Sequence, residues 1–315
     1  AETLKYRDIE EPRVGPGEVL IRVRAAGVDR GVWHLMAGLP YLVRIMGFGL
    51  WKPKQRIVGM DMSGQVEAVG PGVTRFRVGD DVFGEISGAW AEFAAAAEGK
   101  LERKPANLGY EEAAVLAISG RTALQAVRDQ GRVTAGQSVL VIGASGGVGS
   151  YAVQIAKGFG AVVTGVCSGS KVDFVRSLGA DHVIDYTRER IADGNRRYDV
   201  ILDIGGNRPL KQLRRVLTDT GTLVIVGGEA GGRWLGGMHR SIGASLLSAF
   251  VSQNLRMQIT EPRAEDLGVL RELVEAGQVR PVIDRTFPLG EAAEALRYLV
   301  GGKARGKVVV TVGRG

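Results

Sequence analysis

The stretch Gly143-Ala144-Ser145-Gly146-Gly147-Val148-Gly149 sets four glycines between an apolar run, "VLVIG", and an amphipathic one, "SYAVQIAK". A strand that ends in such a turn and passes directly into a helix aims unpaired backbone N–H groups, and the positive end of the helix dipole, at one point. A pyrophosphate fits there. In the dinucleotide-binding pattern the middle glycine lets the backbone touch the phosphates and the last lets helix and strand pack closely. Those roles fall to Gly146 or Gly147 and to Gly149, with Ala144 where the first glycine usually stands. About 20 residues further on, where an acid would bind the ribose 2′-hydroxyl of NAD, the next strand runs out into "VCSGSKVDF" with no acid at its tip. Ser168 can donate a hydrogen bond, Lys171 carries a positive charge, and Tyr186, followed by Arg188, can close the pocket. This set suits the 2′-phosphate of NADP; the alternative for Lys171 is a solvated residue at the start of a helix. Cys167 reads as strand-end packing rather than as a nucleophile, since no base is visible near it.

Groups of this kind need a scaffold, and the pattern of the chain supplies one. Up to about residue 100 short β-rich runs alternate with turns: "EVLIRVRAAGV" after "GPGE", "SGQVEAVG" before "PGV", then "DDVFGEI" and "AEFAAAA". That is a compact β-barrel or sandwich. From "YEEAAVLAISGRTALQAV" a helical period takes over, and from Ser138 it alternates with the buried runs "VLVIG", "AVVTGVC", "HVIDY", "DVILDIG" and "TLVIVGG". This second part reads as a doubly wound α/β domain. The closing strand "KVVVTV" has to rejoin either the sheet or the barrel. There is no internal repeat and no low-complexity linker.

Composition narrows the classes further. A chain of 315 residues with 45% hydrophobic content can build two domains, and its longest apolar runs fall far short of the ~20 residues a membrane span requires. A cytoplasmic location is expected. The net charge of +7 comes from bases spread along the chain, "KPKQR" being the densest cluster outside helices, with no nucleic-acid motif beside it. One cysteine and three scattered histidines, His34, His182 and His239, give no metal-ligand spacing.

The segments "GMDMSGQVEAVGPGVTRFRVGDDVFG", "SGRTALQAV", "VLVIGASGGVGSYAVQIAKGFGAVV", "SLGADHVIDY" and "ARGKVVVTV", in this order, resemble the zinc-independent medium-chain dehydrogenase/reductases of the quinone oxidoreductase, zeta-crystallin-type branch. The similarity runs over nearly the whole chain. It implies an α/β protein with a GroES-like catalytic barrel, residues 1–112 and 284–315, beside a Rossmann domain, residues 113–283, and a cleft between them for NADP(H) and substrate. It also implies roles. Thr122 matches the threonine near the nicotinamide amide; Gly146, Gly147 and Val148 match the pyrophosphate turn; Ser168, Lys171 and Tyr186 match the 2′-phosphate pocket. Gly205 and Gly227 match positions that line the cofactor. Phe250 and Val251 match a segment approaching the nicotinamide, although an apolar helix core accounts for them equally well. "GGEAGGRWLGGM" is a substrate lid or an ordinary surface loop.

Departures from the family pattern carry their own expectations. Where zinc-dependent relatives have a cysteine and a "GHE" segment this chain has Asp29 and Gly59-Met60-Asp61, and a thioether cannot replace an imidazole on Zn²⁺. The resemblance therefore implies metal-free hydride transfer from NADPH to a quinone or to the β-carbon of an α,β-unsaturated carbonyl. An enoyl-thioester reductase and an NADPH-binding regulatory or structural protein are the alternatives. A homodimer through the Rossmann domain, by edge strands such as "TLVIVGG", is expected. Asp29 stands where relatives often have an asparagine. Ionised, it would favour the cationic oxidised nicotinamide; protonated by burial, it could donate a proton; solvated, it would have no role.

Overall fold

Glu18–Val28 (β1) buries almost every position of "EVLIRVRAAGV", a pattern that needs cover on both faces of the strand. The computed structural model describes residues 4–39, 41, 57–193, 195–206, 208–228, 238–248 and 250–313. "KPKQR" and most of "GGEAGGRWLGGM", residues 229–237, lie outside the described residues. β1 leads into the helix Arg30–Ala37 (α1), and the barrel continues through Asp61–Val69 (β2), Asp81–Glu85 (β3), Phe93–Ala97 (β4) and Leu101–Arg103 (β5). One edge of β1 pairs with β2, with irregularities after Leu20 and Val23. Such irregularities bend a strand so that it can serve a curved sheet. Residues Glu18–Arg22 of its other edge pair with β4, which leaves Ala25–Val28 for a strand from elsewhere in the chain.

The α/β part begins with the short helix Tyr110–Ala113 (α2) and Ala117–Gln125 (α3). Its strands are Ser138–Ile142 (β6), Val162–Cys167 (β7), His182–Asp185 (β8), Tyr198–Asp203 (β9), Leu217–Ile225 (β10) and Asn254–Met257 (β11). The helices among and after them are Gly147–Gly158 (α4), Val172–Ser177 (α5), Leu210–Val216 (α6), Met238–Ser248 (α7) and Ala264–Glu275 (α8). Every pairing in this sheet is parallel, in the order β11-β10-β9-β6-β7-β8. The apolar runs mark parallel strands because helices cover both faces of such a sheet. The direction of winding reverses between β6 and β9, and ligands of open α/β sheets bind in the crevice at that point. The strand "TLVIVGG" is not an edge: β10 lies between β9 and β11, and the polar-flanked β11, which the hydrophobic pattern did not mark, takes the outer place.

After Ile283–Pro288 (β12) and the helix Ala292–Val300 (α9), Lys307–Thr311 (β13) returns to the barrel and fills the vacant half of β1's edge, Val28 opposite Val308. The chain's end thus closes the first sheet, in the order β12-β13-β1-β2-β3-β5 with β4 also on β1. The barrel core is built of β1, β2, β3 and β13 side chains such as Ile21, Met62, Val82 and Val310. The α/β core gathers α3, α4 and α8 onto β6 and β7, with Tyr151 fully buried and its hydroxyl donating to the Val115 carbonyl at 2.8 Å. Among the described residues no helix is long and apolar enough to cross a membrane.

Candidate active site

β6 ends at Ile142 and the chain turns at Gly143 with φ +86°, a left-handed conformation that favours glycine. The N–H groups of Gly143 and Ala144 donate to Val166 at the end of β7, which ties the turn to the sheet. At Gly149 a Cβ would lie 2.1 Å from the Gly143 carbonyl oxygen, so helix and turn pack backbone on backbone. Gly146 is the N-cap of α4, in extended backbone and without a side-chain cap, so the first N–H groups of a 12-residue helix face outward. Gly146, Gly147 and Val148 all keep partial exposure. The donors, the dipole and the space fit a pyrophosphate.

The two candidate middle glycines differ. A Cβ on Gly146 would meet only the Gly143 carbonyl, at 3.4 Å, whereas one on Gly147 would meet Lys307 Cδ at 3.0 Å and Ser119 Oγ at 3.3 Å. Gly146 faces the open side; Gly147 is where the α/β domain touches the barrel's closing strand. Across the switch point Gly205 lies beside Gly143, its own Cβ direction meeting Ile142 Cγ2 at 3.6 Å. Gly227 packs tightly on the backbone of Ile204, which alone accounts for its lack of a side chain.

At the far end of the crevice Ser168 is half-buried and Tyr186 exposed, its N–H donating to the Cys167 carbonyl. The Lys171 ammonium donates to the carbonyls of Ala304 at 2.7 Å and Gly302 at 3.1 Å, on the loop between α9 and β13. It is therefore an interdomain tie, and burial lowers its pKa. Asp185, at the tip of β8, went unremarked in the sequence. Its carboxylate accepts from the Thr187 N–H and hydroxyl, and a Cβ on Gly169 would fall 2.5 Å from it. The Thr187 bonds hold its pKa below the ordinary value, and a further bond from the Gly169 N–H ties the 168–171 turn to β8. The Cys167 thiol is pushed up to about 11 by burial and the nearby Asp185, which agrees with packing rather than nucleophilic chemistry.

Thr122 sits on α3 with its hydroxyl donating to Ile118 at 2.8 Å and receiving Thr260 at 3.2 Å. One turn earlier on the same helix Ser119 enters a buried polar group. Lys307 Nζ donates to Asp29 Oδ1 and, at 2.9 Å, to Ser119 Oγ, and it lies 3.9 Å from Asp61 Oδ2. Ser119 in turn donates to Asp29 Oδ1 at 3.3 Å, and the Ile118 N–H reaches Asp61 Oδ2 at 3.4 Å. Burial, then the neighbouring Asp29, raises the Asp61 pKa well above its ordinary value against the pull of Lys307. Lys307 has a signal in the sequence, a lone charge opening the apolar run "KVVVTV", but its partners are scattered over 278 positions.

The segment after α7 divides. Val251 packs against the Rossmann core, as the plainer reading has it, while Phe250 is 86% exposed. A second buried pair, also missed, fixes the loop that carries Gly205. Asp203 receives the Gly206 N–H at 3.0 Å and pairs at 2.6 Å with Arg240 of α7, which also donates to the carbonyls of Gly206 and Arg208.

With the geometry in place, known proteins supply the comparison. Residues 15–158 match the alcohol dehydrogenase GroES-like domain, and residues 178–310 match the zinc-binding dehydrogenase domain. The chain is 31% identical to a chloroplast envelope quinone oxidoreductase homolog of Arabidopsis thaliana, covering 98% of this chain and 94% of that one. The chain belongs to the quinone oxidoreductase-like medium-chain dehydrogenase/reductases. It is also 34% identical to an Arabidopsis thaliana NADPH-dependent alkenal/one oxidoreductase, over 82% of this chain and 64% of that protein. The structure of the quinone oxidoreductase from Coxiella burnetii superposes with a TM-score of 0.83 at 28% identity, covering 99% of this chain and 96% of the other. As in the other medium-chain dehydrogenase/reductases, the two sheets here are a GroES-like barrel and a Rossmann domain.

Proposed function

We propose that the chain is an NADPH-dependent oxidoreductase that passes hydride to a quinone or to the β-carbon of an α,β-unsaturated carbonyl, without zinc. One observation carries this reading. The open N-terminus of α4, fit for a pyrophosphate, abuts Ser119 of α3 and Lys307 of the barrel, and both of these meet Asp29. Cofactor phosphates held at this turn would lie against a polar cluster that both domains share. When bound, the reduced nicotinamide supplies the hydride. Gly146, Gly147 and Val148 would hold the pyrophosphate, Thr122 would orient the nicotinamide amide, and Gly205, Gly227 and the Phe250-Val251 segment would border the cofactor. Ser168, Lys171 and Tyr186 take the 2′-phosphate, for which Lys171 exchanges two neutral carbonyls for an anion. The relatives named as quinone and alkenal/one oxidoreductases support the acceptor class.

Two features support the zinc-free reading. Met60 is a poor ligand for zinc, and Asp61, which follows it, is fully buried and already engaged by Lys307 and the Ile118 N–H. The proposal also divides the chain into residues 1–112 with 284–315 and residues 113–283. It makes the chain a cytoplasmic homodimer, with organelles the competing address because relatives are named as chloroplast proteins. NADPH oxidation against a panel of quinones, enones and enoyl thioesters, with and without chelator, tests the activity. Turnover of quinones or enones that persists in chelator is expected. No turnover with any acceptor would leave a binding protein, turnover confined to thioesters would move the acceptor class, and loss in chelator would restore a metal.

A further inference from the structure

Four side chains from four elements meet where the barrel touches the glycine-rich turn: Asp29 after β1, Asp61 on β2, Ser119 on α3 and Lys307 on β13. Lys307 is 2% exposed, Asp61 0% and Asp29 8%. Two carboxylates against one ammonium leave an excess negative charge that a water-poor interior tolerates badly, and a bound proton removes it. Each carboxyl keeps one buried oxygen without a hydrogen-bond partner among the described residues, Asp29 Oδ2 and Asp61 Oδ1, and a proton has a place there. The other charged or titratable groups near the cluster are Arg121 of α3, on which the Asp61 charge acts, and Tyr151 of α4, whose hydroxyl is committed to Val115. Arg121 is itself engaged by Glu85, at the end of β3.

We propose that Asp29, Asp61 and Lys307 hold one exchangeable proton among them, and that this proton follows the hydride onto the acceptor. The proposal rests on the hydride-transfer reading above and names the proton source that reading lacks. Lys307 donates to the Ser119 hydroxyl and Ser119 donates to Asp29, so a continuous donor chain runs from the buried interior to the most exposed member. With an enone, the hydride forms the new C–H bond at the β-carbon and the π pair moves to the carbonyl oxygen. Asp29, when it carries the shared proton, passes it to the α-carbon as its O–H bond breaks, and both carboxyls are then ionised against Lys307. The cluster is left with one negative charge, which balances the positive charge of the oxidised ring, and water refills it after product leaves.

Infrared spectroscopy of the cofactor-free protein reads the proton directly. A protonated-carboxyl C=O band is expected at neutral pH in the parent. It should vanish in Asp61→Asn and equally in Asp29→Asn, because a single remaining carboxylate is neutralised by Lys307. A band absent from the parent, or surviving in Asp29→Asn, overturns the shared proton, and Asp29→Asn decides the matter if Asp61→Asn does not fold. With an enone and NADPH, kcat of the parent should fall at alkaline pH. Both variants should lose that limb and roughly tenfold or more of kcat, with the KM for NADPH little changed. A limb that persists in either variant also overturns the proposal. Failure of the hydride-transfer reading appears separately, as a parent that keeps the band but reduces no acceptor.

Discussion

A carboxyl that keeps its proton in the folded chain and loses it in the unfolded one makes stability depend on pH in a definite direction. Asp61 acts in this direction, because burial and then the neighbouring Asp29 raise its pKa well above the ordinary carboxylate value of about 3.9. Its contribution is fully present below that unfolded value and is lost as pH climbs through the raised folded value. In urea titrations the stability of the parent relative to Asp61→Asn should therefore decline from about pH 4 upward, since the amide cannot ionise. A constant difference across that range would mean that Asp61 is ionised in the native state. Lys171 poses a different question, because its ammonium already serves two carbonyls. A charge-assisted bond to phosphate contributes about 1.5–3 kcal/mol, so Lys171→Ala should weaken NADPH binding roughly tenfold and leave NADH unaffected. Equal weakening of both, read by fluorescence titration, would make Lys171 an interdomain tie alone. The sequence pointed to Lys171 by its place after β7, but the carbonyls it meets are 131 and 133 positions away and no local pattern encodes them.

The strand, turn and helix around Gly143 form an element whose local sequence says most of what it does. Glycines appear there for two different reasons, and substitutions separate them. Gly149→Ala drives a methyl into the Gly143 carbonyl and should cost about 1–3 kcal/mol of stability, as overpacked sites do. Gly146→Ala has room and an ordinary φ of −87°, so stability should hold while cofactor affinity falls, because the methyl stands beside the uncapped N–H groups. Equal melting curves for Gly149→Ala and the parent, or unchanged cofactor titration for Gly146→Ala, would contradict this division. The fingerprint was legible because strand, turn and helix are contiguous and each follows a short-range rule. β11 was not legible. It is four residues long with alternate polar and apolar positions, too short a run to mark a strand, and only its pairing with β10 makes it one.

The outer edge of β11, which pairs with no other strand among the described residues, and the neighbouring helix α7 shape what the whole molecule can assemble into. Leu246 is 67% and Phe250 86% exposed beside that edge, an apolar surface that a second copy of this chain can cover. If the proposed homodimer forms through this face, Leu246→Glu should leave a monomer in light scattering at micromolar concentration without altering cofactor affinity. An unchanged mass would remove this face from the assembly. Periodicity and glycine placement determined by themselves that a β-rich part precedes a doubly wound α/β part with a phosphate-binding turn, since those features depend on neighbours within a few residues of one another. The tertiary structure decided which edge stays open, that β13 completes the barrel through β1, and that Lys307 joins Asp29 and Asp61 beneath Gly147. Contacts of that kind are chosen by chain closure and by the burial of charge, and both act between residues that the sequence holds far apart.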